Sequence, residues 1–152
     1  MNTATVKAPS HMVSFATTRF GEISVAENKV IRFVQAMPGF ERLKRFIIID
    51  HDEQGTFRWM QSVDEPGVAF LLTDPNAFKP GYSVPLKKWE MEKLGADSPD
   101  GLVTLVMVCV ARDARELSLN LKGPVVFNAE TMNAIQCVID RDDYPSNFPI
   151  KV

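Results

Sequence analysis

Ser118-Leu119-Asn120-Leu121-Lys122-Gly123-Pro124-Val125-Val126-Phe127-Asn128 is the stretch whose reading decides the fold. Leu119 and Leu121 alternate with Ser118 and Asn120, the two-residue period of a half-buried strand. Gly123-Pro124 then interrupts the ladder, because proline has no N–H and glycine accepts backbone angles that other residues avoid. Val125-Val126-Phe127 resumes the β pattern. Two strands joined at a sharp corner or kink are expected, and on pattern alone they form a core hairpin that serves folding only.

The flanking sequence extends the β reading in both directions. Leu102 to Val110 is the longest apolar run and is expected to be a strand covered on both faces, and Ala134 to Ile139 is a further strand. Upstream, Val13 to Phe20, Ile23 to Val25 and Val30 to Phe33 read as a meander of three antiparallel strands, with Gly21-Glu22 as the first turn. Phe46 to Ile49 is continuously apolar, as in a strand buried on both faces. Phe57 to Ser62 and Val68 to Thr73 pair across the Asp64-Glu65-Pro66-Gly67 turn. Leu86 to Leu94 is the best helix, with Leu86, Trp89 and Leu94 on its buried side and Gly95 as its cap. Arg112 to Glu116 is a charged connection, and the tail from Asp140 onward is extended. About ten short strands and one short helix make a mainly β fold, a small single-domain barrel-like antiparallel structure. Residues 1–12 carry no periodicity and read as a flexible N-terminal arm before a β domain over 13–152.

The chain has 152 residues, enough for one domain with a real core. A formal net charge of -2 gives no electrostatic drive toward phosphate backbones. Cys109 and Cys137 sit in apolar runs without CxxC spacing and read as two buried thiols of a reducing compartment. No secretory leader and no apolar run of membrane-spanning length is evident, so a cytoplasmic protein without a membrane anchor is expected.

Catalytic signals are missing. His51 lies beside Asp50, Asp52 and Glu53 in a turn, where a solvated loop is the simpler reading than a metal site. No phosphate-cradling glycine loop and no GxSxG elbow occurs. No catalytic, metal-binding or cofactor-binding residue is assigned, and no enzyme is expected. Phe57, Trp59, Phe70 and Tyr82 offer faces to a nucleic-acid strand, but Arg42, Lys44, Arg45 and Lys87-Lys88 are offset by nearby acids. A β-barrel RNA-binding module is therefore the alternative function, and a flavin-type barrel enzyme a third. A protein-binding module fits better. Its candidate surface features are Pro38-Gly39-Phe40, Trp59-Met60 and Asp74-Pro75.

Several pieces in order resemble the FliW family of flagellar assembly factors: Phe20-Gly21-Glu22-Ile23, Pro38-Gly39-Phe40-Glu41, Trp59-Met60-Gln61-Ser62, Ala69-Phe70 with Thr73-Asp74-Pro75, and Asn120-Leu121 with Gly123 to Asn128. Tyr144-Pro145 fits the family's tail, so the resemblance runs from about Val13 to Pro149. The resemblance implies a small β barrel without enzyme activity. It also implies two protein partners: the translational regulator CsrA, a small RNA-binding dimer, and newly made flagellin in the cytoplasm. The implied mechanism is partner switching, in which the factor freed by flagellin secretion binds CsrA and releases flagellin mRNA for translation. A free monomer with no direct contact to nucleic acid follows. Asn120 and Asn128 belong to the family's most recognisable mark and join the candidate partner-binding residues.

Overall fold

The computed structural model describes residues 11–110 and 116–151. In chain order the strands are β1 (Met12–Thr17), β2 (Gly21–Ala26), β3 (Ile31–Phe33), β4 (Arg45–Asp50), β5 (Phe57–Ser62) and β6 (Ala69–Thr73). Helix α1 (Lys88–Leu94) follows. Then come β7 (Leu102–Val110), β8 (Leu117–Leu119), β9 (Val125–Asn128), β10 (Asn133–Gln136) and β11 (Phe148–Ile150). Among the described residues the fold is mainly β with one α-helix, as the sequence predicts. Most of the expected charged connection, and all but the last two residues of the expected arm, lie outside the described residues.

Seven strands close into a barrel in the order β7-β6-β5-β4-β3-β10-β9, with β9 pairing back to β7. A ring with an odd number of strands cannot alternate direction all the way round, so at least one neighbouring pair must run parallel. That pair is β3 with β10, through Asn133↔Arg32 and Ala134↔Phe33. The expectation of a wholly antiparallel structure is corrected at this one seam.

The barrel interior follows from strand alternation. Phe46 and Ile48 of β4 point inward with Met60, Leu72, Leu105 and Phe127. Ile47 and Ile49 point outward, where Phe15, Val30 and Val63 cover them. The continuous apolar run Phe46 to Ile49 is thus covered on both faces, as predicted. Phe46 is completely buried and Ile47 nearly so, each contributing about 1.5–3 kcal/mol of hydrophobic stabilisation. Much of the outer cover comes from β1 and β2, which among the described residues pair only with each other. The expected three-stranded meander is therefore a two-stranded ribbon, with β3 recruited to the barrel. β1 stops at Thr17 because its hydroxyl accepts from the Phe20 N–H and donates to the Gly21 carbonyl, which closes the turn.

The stretch from Ser118 to Asn128 is kinked, as read, but it is no hairpin. β8 and β9 do not pair with each other; both run antiparallel to β7. Three steps along β7, from Val108 to Leu105, are matched by six along the partner, from Leu119 to Val125. The surplus residues bulge out around Gly123-Pro124, and Leu121 is buried in a second cluster with Tyr82 and Tyr144. Gly123 does not need a left-handed backbone. Space dictates the glycine: a Cβ there would lie 3.0 Å from Gln136 Nε2 and 3.2 Å from Asn120 Nδ2.

Two further expectations change. Trp89 is 43% exposed, whereas Glu90 and Leu94 are buried. The helix begins at Lys88, and residues four apart share a face, so the Glu90–Leu94 pair takes the inward side and Trp89 is turned away. Gly95 caps α1 in the left-handed conformation at φ 69°, as predicted. Cys109 is exposed near the far end of β7, beyond the barrel, while Cys137 is buried. Burial, with the Glu90 carboxylate beside it, pushes the Cys137 thiol up to about 12.

Candidate functional site

The predicted site residues fall into an outward set and a set committed to the fold. Met37-Pro38-Gly39-Phe40 forms a tight turn, closed by the Phe40 N–H donating to the Met37 carbonyl at 2.9 Å. Proline at the second position and Gly39 at φ 86° give the geometry of a type II turn. Met37 is completely buried and anchors the turn in one end of the barrel. Glu41 locks it from outside by accepting the Gly39 N–H at 3.0 Å, which holds the carboxyl below its usual pKa. Phe40 is held outward and is 40% exposed. Its ring meets Phe70 edge-on at 5.1 Å, Phe70 lies 6.1 Å from Phe46, and Phe46 meets Phe33 at 5.4 Å. An exposed aromatic side chain thus sits on a rigid aromatic relay rooted in the core.

Trp59 lies on the outer wall. Alternation along β5 puts Met60 fully inside, so Trp59 and Met60 do not form a joint surface. The Arg19 guanidinium covers the Trp59 ring at 4.1 Å, and Phe20 meets it edge-on at 6.2 Å. The indole N–H donates to His51 Nδ1 at 3.1 Å. His51 is therefore a structural acceptor rather than an idle loop residue. Gln61 and Ser62 complete the motif by fixing the following turn. The Gln61 amide donates to the Pro66 and Val68 carbonyls, and the Ser62 hydroxyl accepts the Asp64 and Glu65 N–H groups.

Asp74 is exposed and caps a short 3-10 turn, Pro75–Ala77, by accepting the Asn76 N–H at 2.9 Å; Pro75 is buried. Asn120 is half-buried and its Oδ1 accepts the Gly123 N–H at 3.0 Å, which shapes the kink. Asn128 is buried, donates to the Leu94 carbonyl at 2.9 Å and accepts the Glu130 N–H at 2.9 Å. It satisfies a carbonyl left free by the end of α1. The nine candidates do not converge on one patch. Pro38, Gly39 and Phe40 sit at one end of the barrel, whereas Asp74 follows Thr73, which pairs with Phe57 at the opposite end.

Sequence reasoning missed Arg19 and Arg58. Arg58 is an inward position of β5, one alternation from Met60, which an alternation count along Phe57 to Ser62 reveals. Of the expected basic cluster, Arg45 is held by Asp64 and the neighbouring Arg32 faces Glu27 at 3.6 Å. Among the described residues no three or more His, Cys, Asp or Glu side chains are placed to hold a metal ion. No helix among them is long and apolar enough to cross a membrane.

The sequence profile described as FliW protein matches residues 14–150. The chain is similar to the flagellar assembly factor FliW of Caldanaerobacter subterraneus subsp. tengcongensis, at 37% identity over 135 residues, covering 88% of this chain and 90% of that protein. It is also similar to the flagellar assembly factor FliW of Syntrophotalea carbinolica, at 39% identity over 133 residues, covering 88% and 94% respectively. In three dimensions it matches a crystal structure of the flagellar assembly factor FliW with a TM-score of 0.80 and 28% identity, over 91% of this chain and 99% of that one.

Proposed function

The chain belongs to the FliW family, and from that membership we propose that it is a cytoplasmic flagellar assembly factor working by protein–protein contact rather than catalysis. Its partners are CsrA and cytoplasmic flagellin. Flagellin occupies the factor while subunits await export; the factor left free by secretion binds CsrA and lifts its repression of flagellin mRNA. Competition of this kind needs only overlapping or coupled sites, because each partner then lowers the apparent affinity for the other. The free protein is a monomer and does not itself contact RNA.

The observation that carries the docking surface is Phe40, an exposed aromatic ring on a turn fixed by Met37 inside and Glu41 outside. A rigid aromatic anchor gives contact area at little entropic cost, which is how protein interfaces concentrate their affinity. Pro38 and Gly39 present it; Trp59 with Arg19 forms a second aromatic contact on the wall. Met60 packs in the core beside Phe46 and Phe70, whereas Pro75, Asn120 and Asn128 hold other parts of the fold. Calorimetry with purified CsrA tests the reading: a saturable complex supports it, and the absence of both heat and complex refutes it. Filter binding to RNA at two salt concentrations tests the alternative, since phosphate contacts weaken steeply as salt rises.

A further inference from the structure

The two ends of the barrel are finished differently. Met37 and Leu43 fill one end. At the other, the ends of β3, β4 and β9 surround a cleft of about 600 Å³, within the span of roughly 300–1,000 Å³ typical of small-molecule sites. Ile23 and Val25 of the ribbon, Ile48 and Phe127 of the barrel, and Met132 give it hydrocarbon walls. Two cations, Arg58 and Lys29, also line it.

Arg58 is out of keeping with its surroundings. It shares the inward face of β5 with Met60. It forms an ion pair with the exposed Asp50, whose carboxylate stands 3.6 Å from Nε, beyond hydrogen-bond length. The Nε atom is itself buried and has no hydrogen-bond partner. Buried donors are almost always satisfied, and the exceptions call for a reason. Met132 adds a second anomaly on the same cleft. It is the only non-glycine residue with positive φ among the described residues, at 64°. Backbone strain of this kind collects at ligand-holding positions. Its flexible thioether chain suits a wall that adapts to an apolar occupant.

We propose that this cleft binds a free, unbranched fatty carboxylate of medium chain length, with the head on Arg58 and the hydrocarbon tail between the ribbon and the barrel mouth. The Arg58 side chain is 37% exposed, and the accessible part of its guanidinium fork matches a carboxylate. A phosphate would bring a larger charge to a cleft with little polar surface. A peptide would bury amide groups that the hydrocarbon walls cannot hydrogen-bond. The site stands apart from the Phe40 turn and does not depend on partner exchange.

The test uses the full chain with decanoate as probe, followed by calorimetry and by the methyl resonances of [13C-methyl]methionine protein. Decanoate is expected to saturate one site and to shift the Met132 methyl while leaving Met91 on the helix unmoved. Decanol, which keeps the tail and loses the charge, binds roughly ten-fold or more weakly, and Arg58→Gln costs decanoate a similar factor. Arg58→Lys, which keeps the charge, separates loss of the fork from loss of the fold. Circular dichroism of each variant shows the fold retained. Equal affinity of decanoate and decanol, unchanged affinity in Arg58→Gln, or no saturable shift at Met132 overturns the proposal. Binding of an apolar peptide with a free C-terminus, but not of decanoate, overturns it in favour of a protein terminus.

Discussion

Asn128 is the residue of the kinked stretch whose role the structure makes most specific, and its replacement separates a folding role from a recognition role. Asn128→Ala removes the amide that donates to the Leu94 carbonyl at 2.9 Å and the oxygen that accepts from Glu130 at 2.9 Å. The Leu94 carbonyl keeps the Thr131 hydroxyl at 3.0 Å, and Glu130 is exposed, so water recovers part of the loss. A cost of about 1–3 kcal/mol follows from the hydrogen bonds alone. Asn128→Asp has nearly the same shape but puts a carboxylate against the Leu94 and Gly95 carbonyls, at the negative end of α1. A buried charge without a partner costs about 3–5 kcal/mol. The engineered carboxyl therefore has a folded pKa raised above its unfolded value of about 3.9. Between those two values the folded state holds a proton that the unfolded state releases, so stability falls as pH rises. Urea unfolding at pH 4.5 and pH 7.5 reads this directly. Asn128→Asp is expected to be less stable than Asn128→Ala at pH 7.5 and to recover toward it at pH 4.5. With a urea slope of roughly 1–3 kcal/mol per molar, a loss of about 3 kcal/mol moves the midpoint by about 1–3 M. An Asp variant no less stable than the Ala variant at pH 7.5, or an Ala variant as stable as the parent, refutes the capping role.

Three further outcomes follow from other parts of the fold. Gly123→Ala forces a methyl against Gln136 and Asn120 and should cost about 1–3 kcal/mol in chemical denaturation. Gln136→Ala in the same chain should return part of that loss, and full additivity of the two changes would rule out the crowding explanation. Phe40→Ala gives up the edge-on contact with Phe70, about 0.5–1.5 kcal/mol beyond area burial, yet should weaken partner binding by roughly 2 kcal/mol or more. Unchanged affinity for both CsrA and flagellin would remove Phe40 from the interface. Stability should hold up to about pH 9 and fall above it. The unfolded thiol of Cys137 ionises near its ordinary value of 9.0, while the folded thiol keeps its proton to about 12. Tyr82, also raised by burial, adds to the fall at higher pH. A Cys137→Ala melting profile that declines as steeply as the parent between pH 9 and pH 11 would contradict this origin.

The alternating and continuous apolar runs made the strands legible. Leu102 to Val110 forms a strand over its whole predicted length because its pattern is long and uninterrupted. The parallel seam of β3 with β10 was not legible, since it depends on how many strands join the ring rather than on any local pattern. Trp89 was misplaced because a seven-residue helix offers too few turns to fix its phase from sequence. At the candidate site the same limit applies in reverse. Met60 and Asn128 carry motif character, yet Met60 faces the barrel interior and Asn128 is buried beneath the end of α1, so the motif reflects packing and capping. Arg58 left no motif at all, because an orphaned donor is a property of three-dimensional neighbours.

The proposed function is exchange of two protein partners on one small barrel. Its most direct measurement is competition: fluorescently labelled CsrA is bound to the protein, and purified flagellin is titrated in while anisotropy is followed. Partner exchange predicts that flagellin releases CsrA in a saturable way and that the midpoint rises with the concentration of CsrA. Simultaneous binding of both partners, with CsrA anisotropy undiminished at saturating flagellin, would contradict it.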